Sequence, residues 1–177
     1  VWPERWEMRQ LDELTVLIVG LGGIGSACAQ RFHALGARVW GTTRSGQSVD
    51  GVDRLVPLED LEAAVAQVDA VVVTLPGTAQ THHLIDERIL AAARPGVILA
   101  SVGRGTVIDE RALLRALDDG IVSFAALDVF EVEPLPQESA LGSHPRVLVS
   151  RHTAALSSRS EERLARRVPA GARRAVD

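Results

Sequence analysis

The stretch "GLGGIGSACAQRFHALGARVWGTTRSG", from Gly20 to Gly46, decides the fold. Gly20, Gly22 and Gly25 form a G-x-G-x-x-G pattern between the apolar run LTVLIVG (14–20) and a helical stretch from Gly23 to Leu35, with Gly36 as its stop. Each glycine has a task in that setting. The first makes a tight turn, the second lets backbone approach a pyrophosphate, and the third lets helix pack on strand. The N–H groups that open the helix then face the phosphates. A dinucleotide is the expected ligand.

The second half of the stretch sets the choice of dinucleotide. NAD-binding versions carry an acid at the end of the next strand, roughly 20 residues on, for the ribose 2′-hydroxyl. Thr43, Arg44 and Ser45 stand there instead, and Asp50 and Asp53 come only after another glycine. A guanidinium with small hydroxyls suits a 2′-phosphate, which a carboxylate would repel. NADP(H) is therefore favoured, with NAD(H) as the alternative.

Working outward, short apolar runs alternate with helical patterns. The runs are 14–20, 37–43, 69–76, 96–103, 122–130 and 146–150, each rich in Val, Ile and Leu. Such runs fit strands buried on both faces. Helices are expected over 23–35, 58–68, 86–93, 109–120 and 158–168, with Asp109 as an N-cap. The fold class is α/β, a doubly wound parallel sheet of the Rossmann type. Residues 1–13, with Trp2, Trp6 and Met8, read as a linker or arm, 14–168 as the dinucleotide-binding domain and 169–177 as a tail.

Composition removes several kinds of chemistry. All 19 basic residues are arginine, and tyrosine is absent from the 177. That excludes a Schiff-base lysine, an ATP-type phosphate loop and a Tyr-x-x-x-Lys couple. A net charge of −4 without a basic stripe argues against a nucleic-acid partner. No apolar run approaches the ~20 residues of a membrane span, so no membrane partner is expected. Cys28 is the sole cysteine, which points to a reducing, cytoplasmic setting.

Five motifs in order then resemble the D-isomer-specific 2-hydroxyacid dehydrogenases: GLGGIG, TLPGTAQTHHLI, GVILASVGRGTVIDERAL, AALDVFEVEPLP and VLVSRHTAAL. The Thr-Arg-Ser segment is most similar to the NADPH-preferring glyoxylate/hydroxypyruvate reductase branch. The resemblance implies a catalytic set of Arg104, Glu133 and His152. It also implies cofactor contacts from the backbone at Gly23 and Ile24, from Leu75 and Pro76 near the adenosine, and from Val102, Gly103 and Asp128 at the nicotinamide end. A guanidinium can hold the carboxylate of a 2-oxo acid. A protonated histidine can donate to its carbonyl oxygen, with a glutamate orienting the ring.

Ser101 departs from the family's usual asparagine and Arg151 from its usual proline. His82 and His83 read as surface or cofactor-edge residues and His33 and His144 as structural, with no metal site expected. The family has two domains and nearly twice this length, so the chain, opening on Val1, is expected to be a cofactor domain without its substrate domain. The implied partners are a small 2-oxo or 2-hydroxy acid and a second copy in a homodimer. Alternatives are a phosphoglycerate dehydrogenase-like activity, a dinucleotide-sensing binding protein, or a subunit docking through Trp2 and Trp6.

Overall fold

The computed structural model describes residues 9–44, 46–47 and 49–160. The expectations for Trp2, Trp6, Met8 and Ser45, for the helix over 158–168 beyond Ser160, and for the tail lie outside the described residues. The rest forms one parallel sheet in the order β3-β2-β1-β4-β5-β6-β7. Its strands are β1 Thr15–Val19, β2 Arg38–Thr42, β3 Arg54–Val56, β4 Ala70–Val73, β5 Val97–Ser101, β6 Val122–Leu127 and β7 Val147–Val149.

Strand β1 shows why the run at 14–20 reads as continuously apolar. All five of its residues are buried, Val16 and Ile18 on one face, Leu17 and Val19 on the other. The first face meets helix α1 (Gly23–Ala34) through Ala29. The second meets α2 (Leu61–Val65), α3 (Glu87–Ala92) and α4 (Glu110–Asp118). Helices on both faces are what a parallel sheet requires. The order reverses between β1 and β4, which opens a crevice at the carboxyl ends of those strands, where ligands bind in such sheets.

Local chemistry sets the helix limits. Gly36 has φ +90 just after α1, a conformation that costs glycine little. Asp86 and Asp109 cap α3 and α4, Asp86 accepting from the Ile89 N–H and Asp109 from those of Arg111 and Ala112. The helix expected over 58–68 is divided and shorter. It opens as a 3₁₀ turn, Leu58–Asp60, and its α part stops at Val65. The chain must then turn so that buried Asp69 can accept from the Thr15 N–H at 2.8 Å and from the guanidinium groups of Arg9 and Arg94. Short α5 (Ala140–Ser143) was not expected.

Strand β3 is an addition to the six expected. It has three residues, begins with an arginine and sits at the sheet edge, so no apolar run marks it. The Arg54 guanidinium lies 4.3 Å from the centre of the Trp40 ring, a cation–π contact beside their strand pairing. The runs at 69–76, 96–103 and 122–130 leave the sheet early, after Val73, Ser101 and Leu127. Their remaining residues turn into the site. No helix among the described residues is long and apolar enough to cross a membrane.

Candidate active site

The glycine turn is built at the end of β1. Gly20 has φ +105, its N–H donates to the Thr42 hydroxyl at 3.0 Å, and its carbonyl accepts from the Thr74 hydroxyl at 2.5 Å. A Cβ on Gly25 would lie 2.0 Å from the Gly20 carbonyl oxygen, so that glycine is required for the helix to meet the strand. Gly22 is different. Its backbone is extended, and a Cβ there would meet nothing within 4 Å. The open space lies over the first turn of α1, whose N–H groups have no intrahelical acceptor. A pyrophosphate fits this cradle, which Gly23 and exposed Ile24 continue. Thr43 is half-buried and Arg44 exposed where β2 ends.

Leu75 and Pro76 follow β4, and Val102 and Gly103 follow β5, side by side. The Val102 N–H donates to the Val73 carbonyl at 3.1 Å, and a Cβ on Gly103 would stand 2.4 Å from the Leu75 carbonyl oxygen. Exposed Arg104 comes next, with one guanidinium nitrogen donating to the Gly103 carbonyl at 2.8 Å. Gly105 then packs so closely on Phe130 that a Cβ would overlap the Phe130 carbonyl. The arginine turn thus lies directly against the loop after β6.

That loop carries Glu133. One carboxylate oxygen accepts from the Phe130 N–H at 3.0 Å, and the other lies 2.7 Å from Nδ1 of His152. The bond from His152, then the Phe130 N–H, hold the Glu133 carboxyl below its ordinary range against a smaller opposing effect of burial; the charges of His152 and Arg104 lower it further. The expected catalytic residues meet in one place. Arg104, Glu133 and His152 line a cleft of 390 Å³ together with Gly77, Gly105, Thr106, Phe130 and Glu131. Another cavity, of 320 Å³, opens at the far ends of β1 and β2 and holds none of the expected site residues.

His152 has φ +53 and needs support. Asp128 gives it. The Asp128 carbonyl accepts from the His152 N–H at 2.8 Å. Its carboxylate accepts from the Ser150 hydroxyl at 2.5 Å and from the N–H groups of Thr153 at 2.8 Å and Ala154 at 2.9 Å. Burial raises the Asp128 carboxyl pKa, but these three donors and the charge of His152 outweigh it, and the net direction is down. So Asp128, expected only as a cofactor contact, also anchors the histidine loop. Ser101 is buried, and its hydroxyl has no partner, so it gives the arginine turn no side-chain bond.

Sequence reasoning passed over Thr42, Thr74, Gly77, Thr106 and Glu131. The first acid of FEVEP, two residues before Glu133, was the available signal for Glu131. His33 lies 3.6 Å from Asp53, and His144 bonds Asp118 and the Arg146 N–H, both away from the cleft. His83 sits at its rim, 3.0 Å from Glu131. No group of metal-ligating side chains occurs among the described residues.

A parallel sheet with a glycine turn at its switch point is the architecture of a dinucleotide-binding domain, and here a histidine–glutamate pair stands beside an arginine at one end of it. The family model for D-isomer specific 2-hydroxyacid dehydrogenase, NAD binding domain, matches residues 1–154, and the chain belongs to that family. Glyoxylate/hydroxypyruvate reductase A of Salmonella typhi is 40% identical over 152 residues, 85% of this chain and 48% of that protein. The chain therefore spans about half the length of the curated relatives it matches.

Solved structures agree. A D-isomer specific 2-hydroxyacid dehydrogenase from Xanthobacter autotrophicus Py2, in complex with NADPH and MES, is 36% identical with a TM-score of 0.82, covering 92% of this chain and 69% of the other. An NADPH-dependent glyoxylate/hydroxypyruvate reductase from Sinorhizobium meliloti, in complex with NADP and sulfate, is 31% identical with a TM-score of 0.83, covering 93% and 55%. Phosphoglycerate dehydrogenase from Lactobacillus plantarum is 33% identical with a TM-score of 0.84, covering 89% and 51%.

Proposed function

We propose that this chain is the cofactor-binding part of an NADPH-dependent reductase of small 2-oxo acids, glyoxylate and hydroxypyruvate being the first to try, and of the reverse oxidation. The observation that carries the reading is the 2.7 Å contact between His152 and Glu133 in the cleft that Arg104 also lines.

The Glu133 carboxylate accepts a hydrogen bond from the Nδ1–H of His152 and fixes the ring, which leaves Nε2 to hold the proton exchanged with the substrate's oxygen. Arg104 binds the substrate carboxylate through its guanidinium. The nicotinamide, when bound, supplies the hydride. The first turn of α1 holds the pyrophosphate, and Leu75, Pro76, Val102 and Gly103 form the wall along the cofactor. The Asp128 carboxylate spends both acceptor sites of one oxygen and one site of the other on the histidine loop, which leaves one site for the carboxamide. Thr43, Arg44 and Ser45 take the 2′-phosphate. A cytoplasmic location and a homodimer belong to the same reading and rest on the sequence and its resemblance.

Calorimetry with NADPH and a spectrophotometric assay with both acids test the proposal. The expected result for the 177-residue chain is binding of NADPH with turnover far below the enzyme median of about 10 s⁻¹. Median turnover by this chain alone would remove the idea that it is part of an enzyme. Absence of binding to any nicotinamide dinucleotide would remove the cofactor assignment.

A further inference from the structure

Among the described residues, two that are not glycine have left-handed backbone, His83 at φ 49 and His152 at φ 53. Each is paired with a glutamate of the same loop, His152 with Glu133 and His83 with Glu131. The pairs are two residues apart along that loop, and Glu131 and Glu133 line the same cleft. His83 has no part in the chemistry above, yet its connections lead there.

One carboxylate oxygen of Glu131 accepts from the Glu110 N–H at 3.0 Å and contacts Nε2 of His83 at 3.0 Å. The Glu131 N–H in turn donates to the Glu110 carboxylate at 2.7 Å. Two carboxylates are thereby brought close, and a donor is needed to offset their repulsion. His83 is that donor, so its Nε2 must carry a proton. Asp109, which caps α4, also faces His83, and the His82 ring stacks on it at 4.0 Å. Burial raises the Glu110 carboxyl, an effect that the Glu131 N–H and His83 oppose and the Glu131 charge adds to. The His83 backbone N–H donates to the carbonyl of Thr106, another residue that lines the cleft, at 2.8 Å. Along the glutamate loop Phe130 is buried, whereas Val132 is 60% exposed and pins nothing.

We propose that His83 is a positioning residue: through Glu131 it tethers the Phe130–Glu133 segment, and so sets Glu133 against His152. The inference rests on the proton-handling role read for those two residues, but its geometry stands without cofactor or substrate. His83 is a second histidine–glutamate pair that acts through the first.

The test is made on the 177-residue chain without ligand. Carbon-13 NMR follows the titration of the Glu133 carboxyl, and proton NMR follows the His152 Nδ1–H resonance. Removing the tether in His83→Ala or Glu131→Ala is expected to raise the Glu133 midpoint by about half a unit or more, roughly threefold in proton affinity. The Nδ1–H signal is expected to broaden in both. His83→Gln, which keeps an N–H donor, restores most of the wild-type behaviour, and His82→Ala leaves it unchanged. If the first two variants keep the fold and the wild-type midpoint, the proposal is overturned. It also falls if His83→Gln behaves as His83→Ala. Should His83→Ala fail to fold, Glu131→Ala decides by the same criteria. Failure of dinucleotide binding would leave this result standing, and the converse holds.

Discussion

The turn after β1 and the loop after β7 both present backbone in the left-handed region, at Gly20 (φ +105) and His152 (φ +53). They achieve it differently. The glycine turn is made of absences: Gly20 adopts its angle without a Cβ, Gly25 admits a carbonyl oxygen where a methyl would stand, and Gly22 leaves open space. The histidine loop must hold a bulky residue in a conformation that costs such residues about 1–3 kcal/mol. It does so with the Asp128 carbonyl and carboxylate, which between them accept from Ser150, His152, Thr153 and Ala154. One region needs little outside help to take its shape. The other is held by a buried charge, and chemistry that moves a proton needs that fixed side chain.

The comparison breaks most directly at His152. In a full-length relative-sized enzyme carrying this domain, His152→Ala should lower turnover by about 10²–10⁴-fold, the usual scale of general acid–base catalysis. Dinucleotide affinity should stay close to wild type. Steady-state kinetics and calorimetry measure the two. Equal losses in both would mean that the loop shapes the cofactor site and does not hold a proton.

Asp128→Ala tests the support instead of the supported residue. Three donors lose a buried carboxylate, at roughly 1.5–3 kcal/mol for a charged hydrogen bond, so unfolding in urea should show a loss of about 3 kcal/mol or more. The pH dependence has a definite sign. Because the Asp128 carboxyl is held low, its contribution is present above the unfolded-state pKa of about 4 and is lost as pH falls through its lower folded value. The variant's stability should therefore fall less steeply than wild type below about pH 4. An unchanged acid limb would show that other carboxyls, such as Asp69 with its arginines, govern it.

A smaller effect sharpens the glycine side. Arg44→Ala should weaken NADPH by about 10–150-fold, the worth of one charged hydrogen bond, and leave NADH nearly untouched. Adding Thr43→Asp should repel the phosphate and offer acceptors to the ribose hydroxyls, moving preference toward NADH. The ratio of the two dissociation constants across wild type, single and double variants is the measurement. A ratio that does not move would leave Arg44 a solvated charge.

Much of the site was legible in the sequence, for reasons that differ by residue. The glycine spacing carried the turn because backbone sterics depend on residue type alone. Arg104, Glu133 and His152 were legible through motif resemblance, and the structure brings them to one cleft. The strand ends were misjudged where apolar runs continue past the sheet. Val129 and Phe130 are 3% and 6% exposed yet pair with no strand, so their hydrophobicity marked burial and not extension. Strand β3 escaped because a three-residue edge strand opened by arginine has no pattern to show.

The sequence by itself determined the alternation of strand and helix and the glycine turn between β1 and α1. These follow from the size, polarity and backbone freedom of neighbours along the chain. Tertiary structure alone decided that Asp128 holds the histidine loop across 22 to 26 positions and that His83 reaches Glu131 across 48. Such contacts depend on which strand lies beside which in the folded sheet. No local pattern of residues encodes that neighbour, because the pairing energy appears only after the whole sheet has brought the two ends together.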